Sequence, residues 1–124
     1  MFKKVLVCDD EPYILESVSY VARKVGCEVY TAEDGVEALD VARAQRPDLI
    51  VLDLMMPGKT GFQVCRELRE DPELKGSYVI ILTARGQESD QEEALKAGAD
   101  EYLTKPFSPR ALQQKIRDAL SRES

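Results

Sequence analysis

Three carboxylates, a hydroxyl and an amine in this chain each close a short apolar run or follow closely on one. Asp9 and Asp10 come after Val5-Leu6-Val7-Cys8, Asp53 after Leu49-Ile50-Val51-Leu52, Thr83 after Tyr78-Val79-Ile80-Ile81-Leu82, and Lys105 just past Tyr102-Leu103. A carboxylate at the end of a buried run is a ligand, a nucleophile or the polar cap of a strand, and Asp53 alone does not separate these readings. Three carboxylates brought together repel, and one would hold a proton unless a cation intervened. A hard divalent cation resolves this, and Mg2+ takes one or two carboxylates together with water and phosphate oxygens. Metal, carboxylate, ammonium and hydroxyl are the parts of a phosphoryl site. An aspartate can itself accept the group as a covalent intermediate, and Asp53, on the middle run, is the natural acceptor. No Gly-rich phosphate cradle follows any of the runs.

The elements that must position these residues are legible from periodicity. Lys4–Cys8 reads as a buried strand, and Pro12 suits the first position of a helix whose apolar residues are Ile14, Val18, Val21 and Val25, up to Gly26. Glu28–Ala32 alternates as an edge strand does. A second helix over about 36–44 turns Ala38, Leu39 and Ala42 inward and ends at Pro47, ahead of the strand at 49–52. Gly61, Val64, Cys65 and Leu68 mark the inner face of a third helix, and the polar stretch 70–76 reads as a loop before the strand at 78–82. A fourth helix over about 90–97 has a thin inner face of Ala94, Leu95 and Ala97, and Gly98 stops it. A short strand around Tyr102-Leu103 precedes a last helix with Pro109 near its start and Leu112, Ile116, Ala119 and Leu120 inside.

Strict alternation of strand and helix implies an α/β fold with a parallel sheet and right-handed crossovers. The most apolar runs belong in the middle of the sheet, which favours a doubly wound, three-layer fold with strand order 2-1-3-4-5. In such sheets ligands bind beyond the carboxyl ends of the strands, where the winding reverses. The three acids, Thr83 and Lys105 then share one edge.

The chain has 124 residues, 17 basic and 23 acidic, no histidine, and a formal charge of −6. The length fits one domain over residues 1–124. The acidity argues against nucleic-acid binding by this chain, and the missing histidine against a zinc site or a His-dependent triad. Cys8, Cys27 and Cys65 have no ligand-type spacing and read as reduced thiols. With no span-length apolar run and no signal-peptide core, the expectation is a cytoplasmic protein without membrane contact.

Val5-Leu6-Val7-Cys8-Asp9-Asp10-Glu11, Leu52-Asp53-Leu54-Met55-Met56-Pro57-Gly58, Leu82-Thr83-Ala84 and Leu103-Thr104-Lys105-Pro106-Phe107 resemble the signature blocks of response-regulator receiver domains of two-component signalling, CheY-like in fold. The resemblance covers essentially the whole chain and implies a flavodoxin-like fold. It implies that Asp53 accepts a phosphoryl group from a phosphohistidine on a sensor histidine kinase or histidine phosphotransfer protein. It implies Mg2+ as cofactor, bound by Asp10, Asp53 and the backbone carbonyl of Met55, with Asp9 holding metal-bound water. Lys105, before a cis peptide to Pro106, would pair with the phosphoryl oxygens. Thr83 would hydrogen-bond the phosphoryl group, Ala84 would leave room for it, and Tyr102 would turn inward when Thr83 moves. An ordinary edge-strand aromatic is the other reading of Tyr102. Met55 and Arg85 lie where members of the family vary and where the lifetime of the phosphorylated state is tuned.

The resemblance further implies a phosphoacceptor that catalyses only its own phosphorylation and dephosphorylation, with a switching surface on the fourth helix, fifth strand and fifth helix that controls a downstream effector. Lys96, Asp100, Glu101, Arg110 and Lys115 supply a charged face there for a phosphorylation-dependent homodimer, or simply a solvated one. A haloacid-dehalogenase-type hydrolase needs a second aspartate where Met55 stands. A flavin module needs a polar phosphate loop in place of Asp9-Asp10-Glu11. A receiver-like interaction module that works without phosphorylation is the nearer alternative.

Overall fold

The computed structural model describes residues 3–84 and 88–121. Among these, strand and helix alternate in the order β1 (Lys4–Cys8), α1 (Pro12–Lys24), β2 (Glu28–Ala32), α2 (Gly35–Gln45), β3 (Leu49–Asp53), α3 (Gly61–Glu70), β4 (Tyr78–Thr83), α4 (Glu88–Ala97), β5 (Glu101–Thr104) and α5 (Pro109–Leu120). The strands form one parallel sheet in the order β2-β1-β3-β4-β5, as their apolar character predicts.

Strands with apolar residues at successive positions have to be covered on both faces. The pleat divides them cleanly. Val5, Val7, Leu49, Val51, Ile80 and Leu82 join Val18, Leu112 and Ile116 of α1 and α5 in one core. Leu6, Cys8, Ile50, Leu52, Val79 and Ile81 join Leu39, Cys65 and Ala94 of α2, α3 and α4 in the other. A slip of one residue would exchange the faces of a whole strand, so burial pins the register. Val7 lies opposite Val51 and Cys8 opposite Leu52, which brings the next residues, Asp9 and Asp53, side by side. Asp53 in turn lies opposite Leu82, and Thr83 opposite Thr104.

The helix ends follow local rules. Asp34 caps α2, its Oδ1 accepting the Glu37 N–H at 2.8 Å, and Thr60 and Gln63 form a reciprocal capping box on α3. The second helix ends at Gln45, and Arg46, the residue before Pro47, leaves the helical region for the left-handed conformation at φ 51°. One expectation needs correction. Leu95 does not face inward: it is 60% exposed, and the buried stripe of α4 is Asp90, Ala94 and Ala97. Residues 90, 94 and 97 fall on one side of a helix, whereas 95 lies roughly 100° further round from 94. Among its described side chains, the fourth helix therefore buries two alanine methyls and a carboxyl, thinner still than the sequence suggested. Among the described residues, no helix is long and apolar enough to cross a membrane.

Candidate functional site

The carboxyl ends of β1 and β3 deliver the acids, and the segment after β5 delivers the amine. The Asp9 N–H donates to the Ala32 carbonyl at 3.1 Å, extending the β1–β2 ladder by one rung, and the Glu11 N–H donates to Asp9 Oδ1 at 2.9 Å. Past β5, the Lys105 N–H donates to the Thr83 carbonyl at 2.7 Å, and the Lys105–Pro106 peptide is cis. Carboxylate oxygens of Asp9, Asp10 and Asp53 lie within 4.8 Å of one another. Asp9 and Asp53 are buried and Asp10 is exposed. The Lys105 ammonium reaches into this group, with Nζ 3.1 Å from Asp9 Oδ2, 3.2 Å from Asp53 Oδ1 and 3.0 Å from Glu11 Oε1.

The electrostatics follow from burial and crowding. Burial pushes the Asp53 carboxyl up to about 6, the charge of Asp9 adds to this, and Lys105 opposes it. Burial also raises Asp9, against the hydrogen bond from the Glu11 N–H and the nearby Lys105 ammonium. For Lys105 burial disfavours the ammonium, but the hydrogen bond to Glu11 and the carboxylates of Asp9 and Asp53 outweigh it and hold the amine protonated.

The donor set fits a divalent cation. Among the described residues, the cluster is all oxygen and holds three carboxylates, joined by Glu11, against the one ammonium of Lys105. Asp9 Oδ2 is fully buried, and although it lies 3.1 Å from Lys105 Nζ it has no hydrogen bond of good alignment. A buried, negatively charged oxygen left in this state is costly, and a hard cation beside it removes the cost.

A family model described as the response regulator receiver domain matches residues 5–117. The chain belongs to that family. It is 43% identical over 122 residues to the alkaline phosphatase synthesis transcriptional regulatory protein PhoP of Bacillus subtilis, a match covering 98% of this chain and 50% of PhoP. The chain thus spans about half the length of this curated relative. The chemotaxis response regulator CheY4 of Vibrio cholerae superposes with a TM-score of 0.90 at 34% identity, over 96% of this chain and 99% of CheY4. The BeF3-activated DrrB receiver domain superposes with a TM-score of 0.89 at 32% identity, over 98% of this chain and all of that one. Receiver domains belong to two-component systems, where they interact with histidine kinases and downstream effectors and bind Mg2+ at an acidic pocket.

In this receiver the predicted residues fall in two groups. Asp9, Asp10, Asp53 and Lys105 converge directly. Thr83 is buried at the end of β4, and Met55 lies two residues beyond Asp53 with its side chain half exposed. Tyr102 is half-buried and packs against the core beneath α2, α3 and α4. Arg85 lies outside the described residues. Of the five residues expected on a dimer face, Asp100 pairs with Arg69 at 2.8 Å, and Glu101 pairs with Lys115 at 3.0 Å. Among the described residues, Asp100, Glu101 and Lys115 thus have partners within the chain.

Sequence reasoning missed Glu11 as a partner of Lys105. The signal was present, a third acid in the run Asp9-Asp10-Glu11. Which of three consecutive acids faces an amine 94 positions away depends on the turn they make and is not coded in their order.

Proposed function

We propose that this receiver takes a phosphoryl group onto Asp53 from a phosphohistidine of a sensor histidine kinase or histidine phosphotransfer protein. The observation that carries the reading is the buried Asp53 carboxylate, 3.2 Å from the Lys105 ammonium and in contact range of two further acids. An Asp53 carboxylate oxygen attacks phosphorus, and the bond from phosphorus to the partner's imidazole nitrogen breaks with its electron pair returning to that nitrogen. Asp10, Asp53 and the Met55 carbonyl would hold Mg2+, with Asp9 supporting them, and the ion would supply positive charge to the phosphoryl oxygens. Lys105 adds positive charge of its own: an ammonium already 3.2 Å from Asp53 needs little movement to meet oxygens attached to that carboxylate. Asp9 and Glu11 aim the ammonium beforehand, so little of its freedom is lost at the moment of transfer.

The phosphoryl group then adds charge and acceptor oxygens at the end of β3. Thr83, with Ala84 leaving space beside it, hydrogen-bonds that group, and the change passes to Tyr102 and to the surface of α4, β5 and α5. The thin buried stripe of α4 supports this assignment, because a helix with few apolar contacts moves at low cost. The output is control of a downstream effector, with a phosphorylation-dependent homodimer as one form.

The test is intact-mass analysis after incubation with acetyl phosphate, with and without Mg2+, on wild type and Asp53→Asn. One phosphoryl adduct that needs Mg2+ and disappears in the variant is expected. No adduct on folded, Mg2+-bound protein would replace this reading with an interaction module that works without phosphorylation.

A further inference from the structure

The loop from residue 54 to 60 follows directly on Asp53 and contains Met55, and backbone hydrogen bonds tie it down at three places. The Leu54 N–H donates to the Leu82 carbonyl at 3.1 Å, which fastens the start of the loop to β4. The Gly61 N–H donates to the Leu54 carbonyl at 2.9 Å, which folds the end of the loop back on its start. The third tie comes from a helix that contributes nothing to the acidic cluster. Gly35, the first residue of α2, donates its N–H to the Pro57 carbonyl at 3.2 Å.

Contact at this third seam is closer than any side chain allows. A Cβ on Gly35 would stand 2.5 Å from Lys59 Cβ, 2.6 Å from the Lys59 carbonyl oxygen and 3.0 Å from the Lys59 carbonyl carbon. Gly35 is buried and sits in ordinary helical backbone, so space rather than dihedral freedom calls for glycine here. Two of the three obstacles are backbone atoms, which cannot swing away as the end of a lysine chain would.

We infer that Gly35 is a positioning residue for the acidic site: the seam between the start of α2 and Lys59 sets where the loop presents the Met55 carbonyl relative to Asp53. The inference rests on the reading of the cluster as a Mg2+ site. An alanine methyl at 35 has to open the seam by about 1 Å to restore a normal carbon–carbon separation of ~3.5 Å. Mg2+ demands near-ideal octahedral ligands at roughly 2.0–2.1 Å. A carbonyl on a loop displaced by a comparable distance meets that demand poorly.

The experiment titrates Mg2+ alone into the full chain by calorimetry, for wild type, Asp53→Asn, Gly35→Ala and Asp34→Ala. Asp34→Ala removes the cap of the same helix without widening the seam. Gly35→Ala is expected to weaken Mg2+ binding by about tenfold or more, the range for residues that support metal ligands, and Asp34→Ala by far less. Equal weakening in both variants, or unchanged affinity in Gly35→Ala, overturns the inference while leaving the metal site intact. Wild type that binds no Mg2+, or binds it no better than Asp53→Asn, overturns the metal reading and the inference with it. Amide exchange on wild type decides the matter should Gly35→Ala not fold. Because coupling is reciprocal, saturating Mg2+ should slow exchange at the Gly35 N–H relative to that of Ala42, far along the same helix. No relative change at Gly35 overturns the inference.

Discussion

Replacing Asp53 with asparagine keeps the shape of the side chain and removes its charge, and the structure sets what that does to metal-free stability. The Asp53 side chain is 6% exposed, so water screens it little. Its carboxyl titrates at about 6 against 3.8 for an ordinary aspartate, with burial the main cause and Asp9 the second. In acid, folded and unfolded chains both carry the neutral carboxyl. As pH rises past 3.8 the unfolded chain ionises first, and folding loses stability until the folded carboxyl also ionises near 6. Above that the full penalty is present, about 3 kcal/mol at ~1.4 kcal/mol per pH unit between the two values. Asp53→Asn escapes it. In urea melts with a chelator present, the variant should be more stable than wild type by about 2–3 kcal/mol at pH 7.5, shrinking below about 1 kcal/mol at pH 4. Adding Mg2+ at pH 7.5 should then raise the stability of wild type and close much of the gap. A gap that does not change with pH, or that widens in acid, would refute the reasoning, since it would mean that the ionised Asp53 is not held against its preference.

Lys105→Ala removes the ammonium that opposes the rise at Asp53, so the Asp53 carboxyl should titrate above 6 in a carbon-detected NMR titration, and phosphoryl uptake should be lost in the mass assay. Arg69→Ala should cost about 3 kcal/mol in urea melts, because the guanidinium donates to the carbonyls of Gly98, Lys75 and Ser77 and pairs with Asp100, joining α3 to the turns before β4 and β5.

The alternation of apolar runs with helical periodicity determined the fold, because a strand apolar at every position has to be covered twice and only βαβ connections do that. The same runs placed Asp9, Asp53 and Thr83 at one edge, since each sits where its run ends. Several helix starts and stops were legible too, because Pro12, Pro109, Gly26 and Gly98 act through short-range chemistry, whereas the caps Asp34, Thr60 and Ser108 were not read from the sequence. Leu95 was misassigned although the spacing was legible: 94 and 97 stand three apart and share a helix face, whereas 95 lies one and two positions from them and does not.

What only tertiary structure decided are contacts between distant segments. Glu11 meets Lys105 across 94 positions, Arg69 meets Gly98 and Asp100 across 29 and 31, and Gly35 closes on Lys59 at 2.5 Å. None of these has a local signature, because the ends of strands, turns and helices are brought together by the sheet and not by their own sequence. The raised Asp53 carboxyl belongs with them. An aspartate after four apolar residues marks a strand end, but burial and the nearness of Asp9 arise only once β1 and β3 lie side by side. The order of residues thus names the acids, and the stacking of two strands gives them their chemistry.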